Sequence, residues 1–496
     1  MKNIILLCLA MAALASFAQT CKISGTLNDA TVKEVYLFLL EGDTYFESPS
    51  LRIPVAPNGS FSTIINVPSP VFARFNAGNK GQRLMLSAGR DINITFETAP
   101  HIQNVITGKG APENKLVSNS VLSTTPFFIK QKYTAETLTP ANWGPTIMQV
   151  VEQEIQTTTH QIQQANVPAN IKTILTSELG YAYQCYLRDL CNIYLYQSKH
   201  PNRKEFLDSI MQWKPLPDSQ ALVSGFYANM MLENHSSYAA SLAVKRKDKQ
   251  QFETDLAAYL KMPYDSIEKL VKTYGESAAV GWLYAQLYMP ASIRDRILYN
   301  HIMEAVNEGS LKTIDYLFNI LKKNFPQSPY VAKVKGDLQQ VENTIKNNTT
   351  NKHIVFKESS GIQSLSELVA PYKGKVVYLD IWGTWCGACK QQLEFTSELK
   401  KKYTGKDIVF VYLDNDNQLK DTHWREMVYH KGLEGEHYRM DKQAMERIWQ
   451  AVKEAGGKTH FYPTYVIIDK DGKIVTPNAE QPGDREKIYA QLDKFL

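Results

Sequence analysis

Two cysteines three residues apart, Cys386 and Cys389, stand in the run Trp382-Gly383-Thr384-Trp385-Cys386-Gly387-Ala388-Cys389-Lys390. Thiol-disulfide exchange is the chemistry such a pair suits. The apolar run Val376-Val377-Tyr378-Leu379 before it reads as a buried strand, and Gln391 to Tyr403 after it as an amphipathic helix, so the pair opens a helix that follows a strand. Three residues of helix bring both side chains to one face, with their Cα atoms within disulfide reach. Cys386, at the helix start, meets unpaired N–H groups and the positive end of the helix dipole, which favour its thiolate and make it the nucleophile. Cys389, one turn in and more buried, stays a thiol until it resolves a mixed disulfide. Structural zinc is the rival use of this spacing, but it needs four ligands, and no second Cys pair or Cys-His pair lies nearby in the sequence. Two inert buried thiols one turn apart would pair anyway in an oxidising compartment.

The elements that must hold this pair occupy 353–496. Ile408 to Leu413 reads as a second buried strand, Lys442 to Ala455 as a helix, Tyr465 to Ile468 as a hairpin strand turning at Asp469-Lys470-Asp471-Gly472-Lys473, and Arg485 to Phe495 as a closing helix. Alternating strands and helices ending in a hairpin predict an α/β domain with a mixed sheet covered on both faces. The polar run 346–352 has nothing to bury and reads as a linker. Upstream, 19–112 alternates short β-branched runs with turn signals and predicts an antiparallel β-sandwich. Between them, 113–345 is helical: Leu179, Tyr183, Leu187, Leu190 and Tyr194 recur at helical spacing, and prolines divide the stretch into several helices. The whole is a multidomain chain.

Lys2, the apolar run from Ile4 to Leu14 and the small residues up to Ala18 have the order of a secretory signal peptide, so 1–18 are expected to be removed. That run is short of the ~20 residues that span a bilayer. Ala18-Gln19-Thr20-Cys21 is a poor version of a lipidation box, which makes the expected location the soluble cell envelope or periplasm rather than a lipid anchor. Beyond the leader the cysteines are Cys21, Cys185, Cys191, Cys386 and Cys389, too few and too odd for a disulfide framework. A net formal charge of +5 over 496 residues implies neither nucleic acid nor anionic lipid as a partner.

Gly374 to Cys389 resembles the active-site strand and turn of the thioredoxin superfamily, and Ser364-Leu365-Ser366-Glu367-Leu368 resembles the lead-in of its TlpA-like and ResA-like branch of exported thiol-disulfide oxidoreductases. The resemblance covers 354–496. Residues 21–112, with Gly108-Lys109-Gly110-Ala111-Pro112-Glu113-Asn114, resemble more loosely the β-domain of unknown function that precedes such domains. It implies a thioredoxin fold and a redox disulfide between Cys386 and Cys389. It further implies a buried catalytic acid at Asp380, a cis-proline at Pro463, and substrate contact through Trp385, Tyr462 and Pro463. A carboxylate inside an apolar strand is costly without a task. Raised by burial, Asp380 would take the Cys389 proton during resolution; the bland alternative is an idle, exposed acid at a strand end. The resemblance further implies protein or peptide disulfide substrates, a membrane thiol electron donor, a link to cytochrome c-type biogenesis and no bound organic cofactor. The dipeptide Gly387-Ala388 departs from the family's usual Gly-Pro, which leaves the redox direction open.

The expected activity is reduction of disulfides in envelope proteins. Two alternatives are a disulfide oxidant or isomerase of opposite poise, and a binding or scaffold protein whose C-terminal domain senses redox state. His423, His430 and His437 are seven apart, but Gly432 and Gly435 break any helix that would align the last two. Asp414-Asn415-Asp416-Asn417 lacks the glycine and closing glutamate of a calcium loop. Cys185 and Cys191 fall on different faces of one helix and read as core.

Overall fold

The computed structural model of the chain describes residues 19–29, 31–39, 51–77, 80–96, 104–244, 248–416 and 421–496. The leader expected at 1–18 and Asn417 of the acidic run lie outside the described residues. The chain divides into two compact units. One holds most of the chain up to Lys261 together with Tyr288–Arg296; the other holds Met262–Leu287 and Ile297–Leu496. The helical stretch 113–345, read from the sequence as one region, is therefore shared between two units.

In the first unit, residues Cys21, Ile23 and Leu27 of β1 (Thr20–Leu27) point inward between exposed neighbours, the period of two that makes a strand half-buried. The strands β2 (Glu34–Leu39), β3 (Leu51–Pro54), β4 (Ser60–Asn66), β5 (Val71–Ala77), β6 (Lys80–Leu86), β7 (Ile92–Phe96) and β8 (Val105–Thr107) complete two four-stranded sheets, β4-β1-β7-β8 and β3-β2-β5-β6. Both sheets feed one core, with Ile23, Leu37, Phe75, Leu84, Ile94 and Phe96 buried together. One ladder corrects the antiparallel expectation: β1 and β7 run parallel, with Ile23 opposite Ile92 and Leu27 opposite Phe96. The chain crosses to the other sheet and back between those strands, and residue periodicity carries no record of strand direction.

Helix α1 (Ala111–Ser118) is clipped to β6 by Asn114, whose side chain accepts from Met85 N and donates to Met85 O at 2.8 and 2.9 Å. Helices α2 (Gln149–Gln164), α3 (Ala169–Asp189), α4 (Arg203–Trp213) and α5 (Phe226–Ala243) follow. Glu178 on α3 accepts from Tyr227 N and Ala228 N at the start of α5, at 2.7 and 3.0 Å, so a buried carboxylate meets the positive end of a helix. Cys21, Cys185 and Cys191 are buried and free.

The second unit contains α6 (Arg294–Glu308), from Ile297 on, α7 (Leu311–Asn324), α8 (Tyr330–Asn348) and the C-terminal α/β domain. The linker expected at 346–352 is corrected by α8, whose last turn takes in Lys346, Asn347 and Asn348. Asn348 Nδ2 donates to Tyr429 O at 2.7 Å, and Asn351 Nδ2 to Glu434 Oε1 at 3.0 Å. Composition shows that this stretch buries no apolar surface, but amide side chains fix a segment through hydrogen bonds that composition does not show.

The domain's sheet has the order β14-β13-β10-β11-β12-β9. Its strands are β9 (Ile354–Phe356), β10 (Val376–Trp382), β11 (Ile408–Asp414), β12 (Gly435–Arg439), β13 (Thr464–Ile468) and β14 (Ile474–Thr476). The ladders β10–β11, β11–β12 and β12–β9 are parallel, whereas β10–β13 and β13–β14 are antiparallel, so the sheet is mixed. All seven residues of β10 are buried, as a central strand between helical layers requires. Val377, Leu379 and Ile381 face the helix α12 (Lys442–Glu454) through Ile448 and Trp449. On the other face Trp382 shares a cluster with Cys389 and Leu393, and Tyr378 one with Leu399 and Tyr489.

The helix expected over Gln391–Tyr403 is two helices, α9 (Gly387–Leu393) and α10 (Thr396–Lys402). Thr396 Oγ1 donates to Leu393 O at 2.7 Å at the break, a side-chain bond that competes with continuation of the helix. Helix α11 (Asp421–His430) lies before β12, and α13 (Glu486–Leu492) closes the domain.

Candidate active site at the Cys386–Cys389 pair

β10 ends at Trp382, level with Asp414 of β11, and the turn Gly383–Trp385 leads into α9. This turn is anchored from the β11 side. Asn415 N donates to Trp382 O at 3.1 Å, and the buried Asp416 carboxylate accepts from Thr384 N at 3.2 Å and from the Thr384 hydroxyl. A Cβ at Gly383 would lie 2.5 Å from Trp385 Nε1, so any larger residue there would have to move that side chain.

Cys386 is the N-cap of α9 in extended backbone, with φ −88° and ψ 102°, and its Sγ accepts from Cys389 N at 3.1 Å. The sulfur thus occupies the place where a capping oxygen satisfies the helix's free N–H groups, and negative charge on it is favoured there. The two cysteines are joined in a disulfide with Cα atoms 5.2 Å apart. Cys386 is 6% exposed and Cys389 1%, so any approach from solvent meets Cys386 first.

Asp380 sits at the middle of β10 and is buried. It is not the exposed strand-end acid of the bland reading. By alternation it faces the side of the sheet covered by α9 and α10, two residues from Trp382, which shares a cluster with both cysteines. Burial pushes its carboxyl up to about 8, opposed by the nearby Lys400 ammonium. Lys400, on α10, is itself buried, and its Nζ lies 4.7 Å from the Tyr412 ring centre and 5.5 Å from that of Phe410. Burial brings this ammonium down to about 7. Among the described residues neither Asp380 Oδ1 nor Lys400 Nζ has a hydrogen-bond partner.

The Tyr462–Pro463 peptide bond is cis. Tyr462 packs against the cluster that contains Cys386 and Cys389, receives a hydrogen bond from Asn415 Nδ2, and meets Trp385 edge to face at 4.9 Å between ring centres. Trp385, next to Cys386, is 53% exposed, which leaves a large apolar side chain in water beside the pair. A groove of about 440 Å³ opens beside Tyr462, bordered by Asp416, Met445, Glu446, Trp449 and His460. The structure therefore packs Tyr462 against the cluster of Cys386 and Cys389 and against Trp385, places Pro463 next to it in sequence, and buries Asp380 in the central strand.

The three histidines go to different places. His437 is buried in β12, stacked on Tyr412 at 4.8 Å, with Nε2 2.6 Å from Leu433 O. His430 ends α11 against Gly309, and His423 lies 3.5 Å from a Glu308 oxygen. Among the described residues no group of three or more His, Cys, Asp or Glu side chains is arranged to hold a metal ion.

Sequence reasoning missed Asp416, Thr384 and Lys400. The acidic run after β11 lacks a calcium loop's glycine and closing glutamate and reads as a solvated strand end, yet an acid two residues past a central strand lies where it can tie down the neighbouring turn. Lys400 gave no signal, since Lys400-Lys401-Lys402 reads as a solvated charge run.

Residues 341–492 match the Redoxin family model. Over 125 residues the chain is 31% identical to the thiol-disulfide oxidoreductase ResA of Bacillus thuringiensis subsp. konkukian (strain 97-27), which covers 25% of this chain and 64% of that protein. It is 34% identical over 91 residues to thioredoxin H9 of Arabidopsis thaliana, 18% of this chain and 61% of that one. Among solved structures, the thioredoxin domain of a thiol-disulfide oxidoreductase from Bacteroides vulgatus is 16% identical, with 26% of this chain and 83% of that one covered and a TM-score of 0.21. The chain thus spans slightly less than two thirds of the length of these curated relatives.

Proposed function

We propose that the chain, whose residues 341–492 match the Redoxin family model and which is 31% identical over 125 residues to a ResA, carries a ResA/TlpA-like domain of the thioredoxin superfamily and is an exported thiol-disulfide oxidoreductase that reduces disulfides of envelope proteins. The observation that carries the reading is the cysteine pair itself: Cys386 caps α9 with its sulfur, and Cys389 is buried one turn on, already bonded to it. That asymmetry suits a nucleophile and a resolving thiol.

In the proposed cycle the Cys386 thiolate attacks one sulfur of a substrate disulfide, forms a mixed disulfide and releases the other substrate sulfur as a thiolate. Cys389 then loses its proton and attacks Cys386 Sγ. The second substrate thiolate leaves, and the Cys386–Cys389 disulfide remains. Two electrons pass to the substrate. Asp380 accepts the Cys389 proton; with its carboxyl held up to about 8 by burial, the ionised base is a minor species at neutral pH and grows with alkalinity. Trp385, Tyr462 and Pro463 receive the substrate, with the Tyr462 backbone pairing to an extended peptide as a short added strand. A membrane thiol carrier returns the domain to the dithiol.

Export rests on the order of residues in 1–18. Among the described residues no helix is long and apolar enough to cross a membrane. Cys21 is buried in the sandwich core, 3.5 Å from Arg90 O, and a lipid on its sulfur would have to displace that packing. The test is turnover of a generic protein disulfide by the chain lacking 1–18, with a thiol as electron source. Turnover abolished by Cys386→Ser is expected; equal rates for that variant and the parent would overturn the proposal.

A further inference from the structure

Lys390 directly follows Cys389 and stands four residues after Cys386, with its N donating to Cys386 O at 3.0 Å. Positions four apart share a helix face, and side chains on a helix lean toward its N-terminus, so the Lys390 stem runs back toward Cys386. Its ammonium is nevertheless held by a residue outside the α/β domain. Glu308, at the last position of α6, places Oε1 2.7 Å from Lys390 Nζ and Oε2 3.5 Å from His423 Nε2. Lys390 and Glu308 are 21% and 20% exposed, so water screens the pair only in part.

We propose that Glu308 is a positioning residue of the helical region that sets the redox poise of the dithiol. It neutralises the one cation on the cysteine-bearing turn of α9. The inference rests on the dithiol acting in exchange.

The sign follows from which redox state carries the charge. Only the reduced state has a Cys386 thiolate, and an uncompensated cation one turn away stabilises it, so a free Lys390 makes the disulfide easier to reduce. Glu308 opposes that effect and keeps the dithiol the stronger reductant. Removing Lys390 leaves the Glu308 carboxylate uncompensated and moves the poise the other way. The groups facing Lys390 are Glu308 from α6 and, behind it, His423 from α11.

The test is equilibration of the chain lacking 1–18 with glutathione. One protein dithiol and one glutathione disulfide exchange two electrons and two protons to give the protein disulfide and two glutathiones. Glu308→Gln should lower the constant for forming the protein disulfide by about threefold or more at low salt, and lower the Cys386 thiol pKa. Lys390→Gln should shift both in the opposite direction, the double variant should return close to the parent, and the differences should shrink in molar salt. Shifts of the same sign in both single variants, or none in either, would overturn the inference in favour of a purely structural contact. If the parent shows no reversible exchange with glutathione, the proposed function fails instead, and the two failures are separate.

Discussion

The backbone N–H of Cys389 points at the sulfur of Cys386 across 3.1 Å, so the second cysteine of the pair donates to the first as a helix does to its cap. Reduction leaves that donor in place for a thiolate. The Cys386 thiol is therefore expected to be more acidic than the ~8.5 of a free cysteine, whereas Cys389 gains no such stabilisation. Alkylation of the reduced protein near pH 6 with mapping of the labelled peptide checks this. Cys386 should react about tenfold faster or more, and faster labelling of Cys389 would reverse the assignment.

Asp380→Asn should separate the two half-reactions. Attack by Cys386 on a substrate disulfide should stay within about twofold of the parent, while resolution by Cys389 slows by ~100-fold, the usual size of a general-base contribution. In the parent, resolution should rise with pH through about 8, where the buried carboxyl ionises, and that rise should vanish in the variant. Stopped-flow rates of the two steps measure this; equal slowing of both would remove Asp380 from the mechanism.

The same carboxyl has a thermodynamic signature. Its folded pKa, about 8, lies above the 3.8 of an ordinary aspartate, so the folded state holds the proton more tightly than the unfolded chain does. Stability from this group is complete below pH 4 and is lost as pH rises toward 8. Lys400, brought down to about 7 by burial, acts with the opposite sign above that pH, and it and Asp380 each favour the other's charged form. Relative to the parent, Asp380→Asn should gain about 1–3 kcal/mol between pH 5 and pH 9 in denaturant titrations. A difference independent of pH would mean that Asp380 is ionised throughout.

Thr384→Val keeps the shape of the side chain and deletes the hydroxyl that serves the buried Asp416 carboxylate. Loss of that donor should cost about 1–3 kcal/mol and loosen the turn before Cys386. Chemical denaturation of the oxidised protein reads the cost. An unchanged midpoint would show that the Asp416–Thr384 tie does not hold the turn.

The cysteine pair is legible because its two residues lie close together in sequence and the elements around them are strongly patterned. A buried strand, a pair at i and i+3, and a following helix announce Cys386 and Cys389, and Pro463 stands directly before a hairpin strand. Less was legible where contacts are long-range or elements short. β9 and β12 have three and five residues, and β12 opens at Gly435 and buries His437, so neither offers a period to read. At the break between α9 and α10 a threonine hydroxyl bonds back to Leu393 O, which periodicity does not show. The parallel β1–β7 ladder and the bond from Glu308 to Lys390 depend on tertiary arrangement, which residue spacing does not encode. Lys346–Asn348 reads as linker from its polarity, but Asn348 fastens that turn to the carbonyl of Tyr429 through a hydrogen bond that polarity does not reveal.

Accumulation of mixed disulfides by Cys389→Ser tests the central claim most directly. Serine cannot resolve the bond between Cys386 and a substrate, so the variant, expressed in its own cell envelope, should collect reducible higher-mass complexes with exported proteins. Cys386→Ser should collect none. If the two variants give the same pattern, with no complex in Cys389→Ser that Cys386→Ser lacks, the assignment of thiol-disulfide exchange on protein substrates is contradicted.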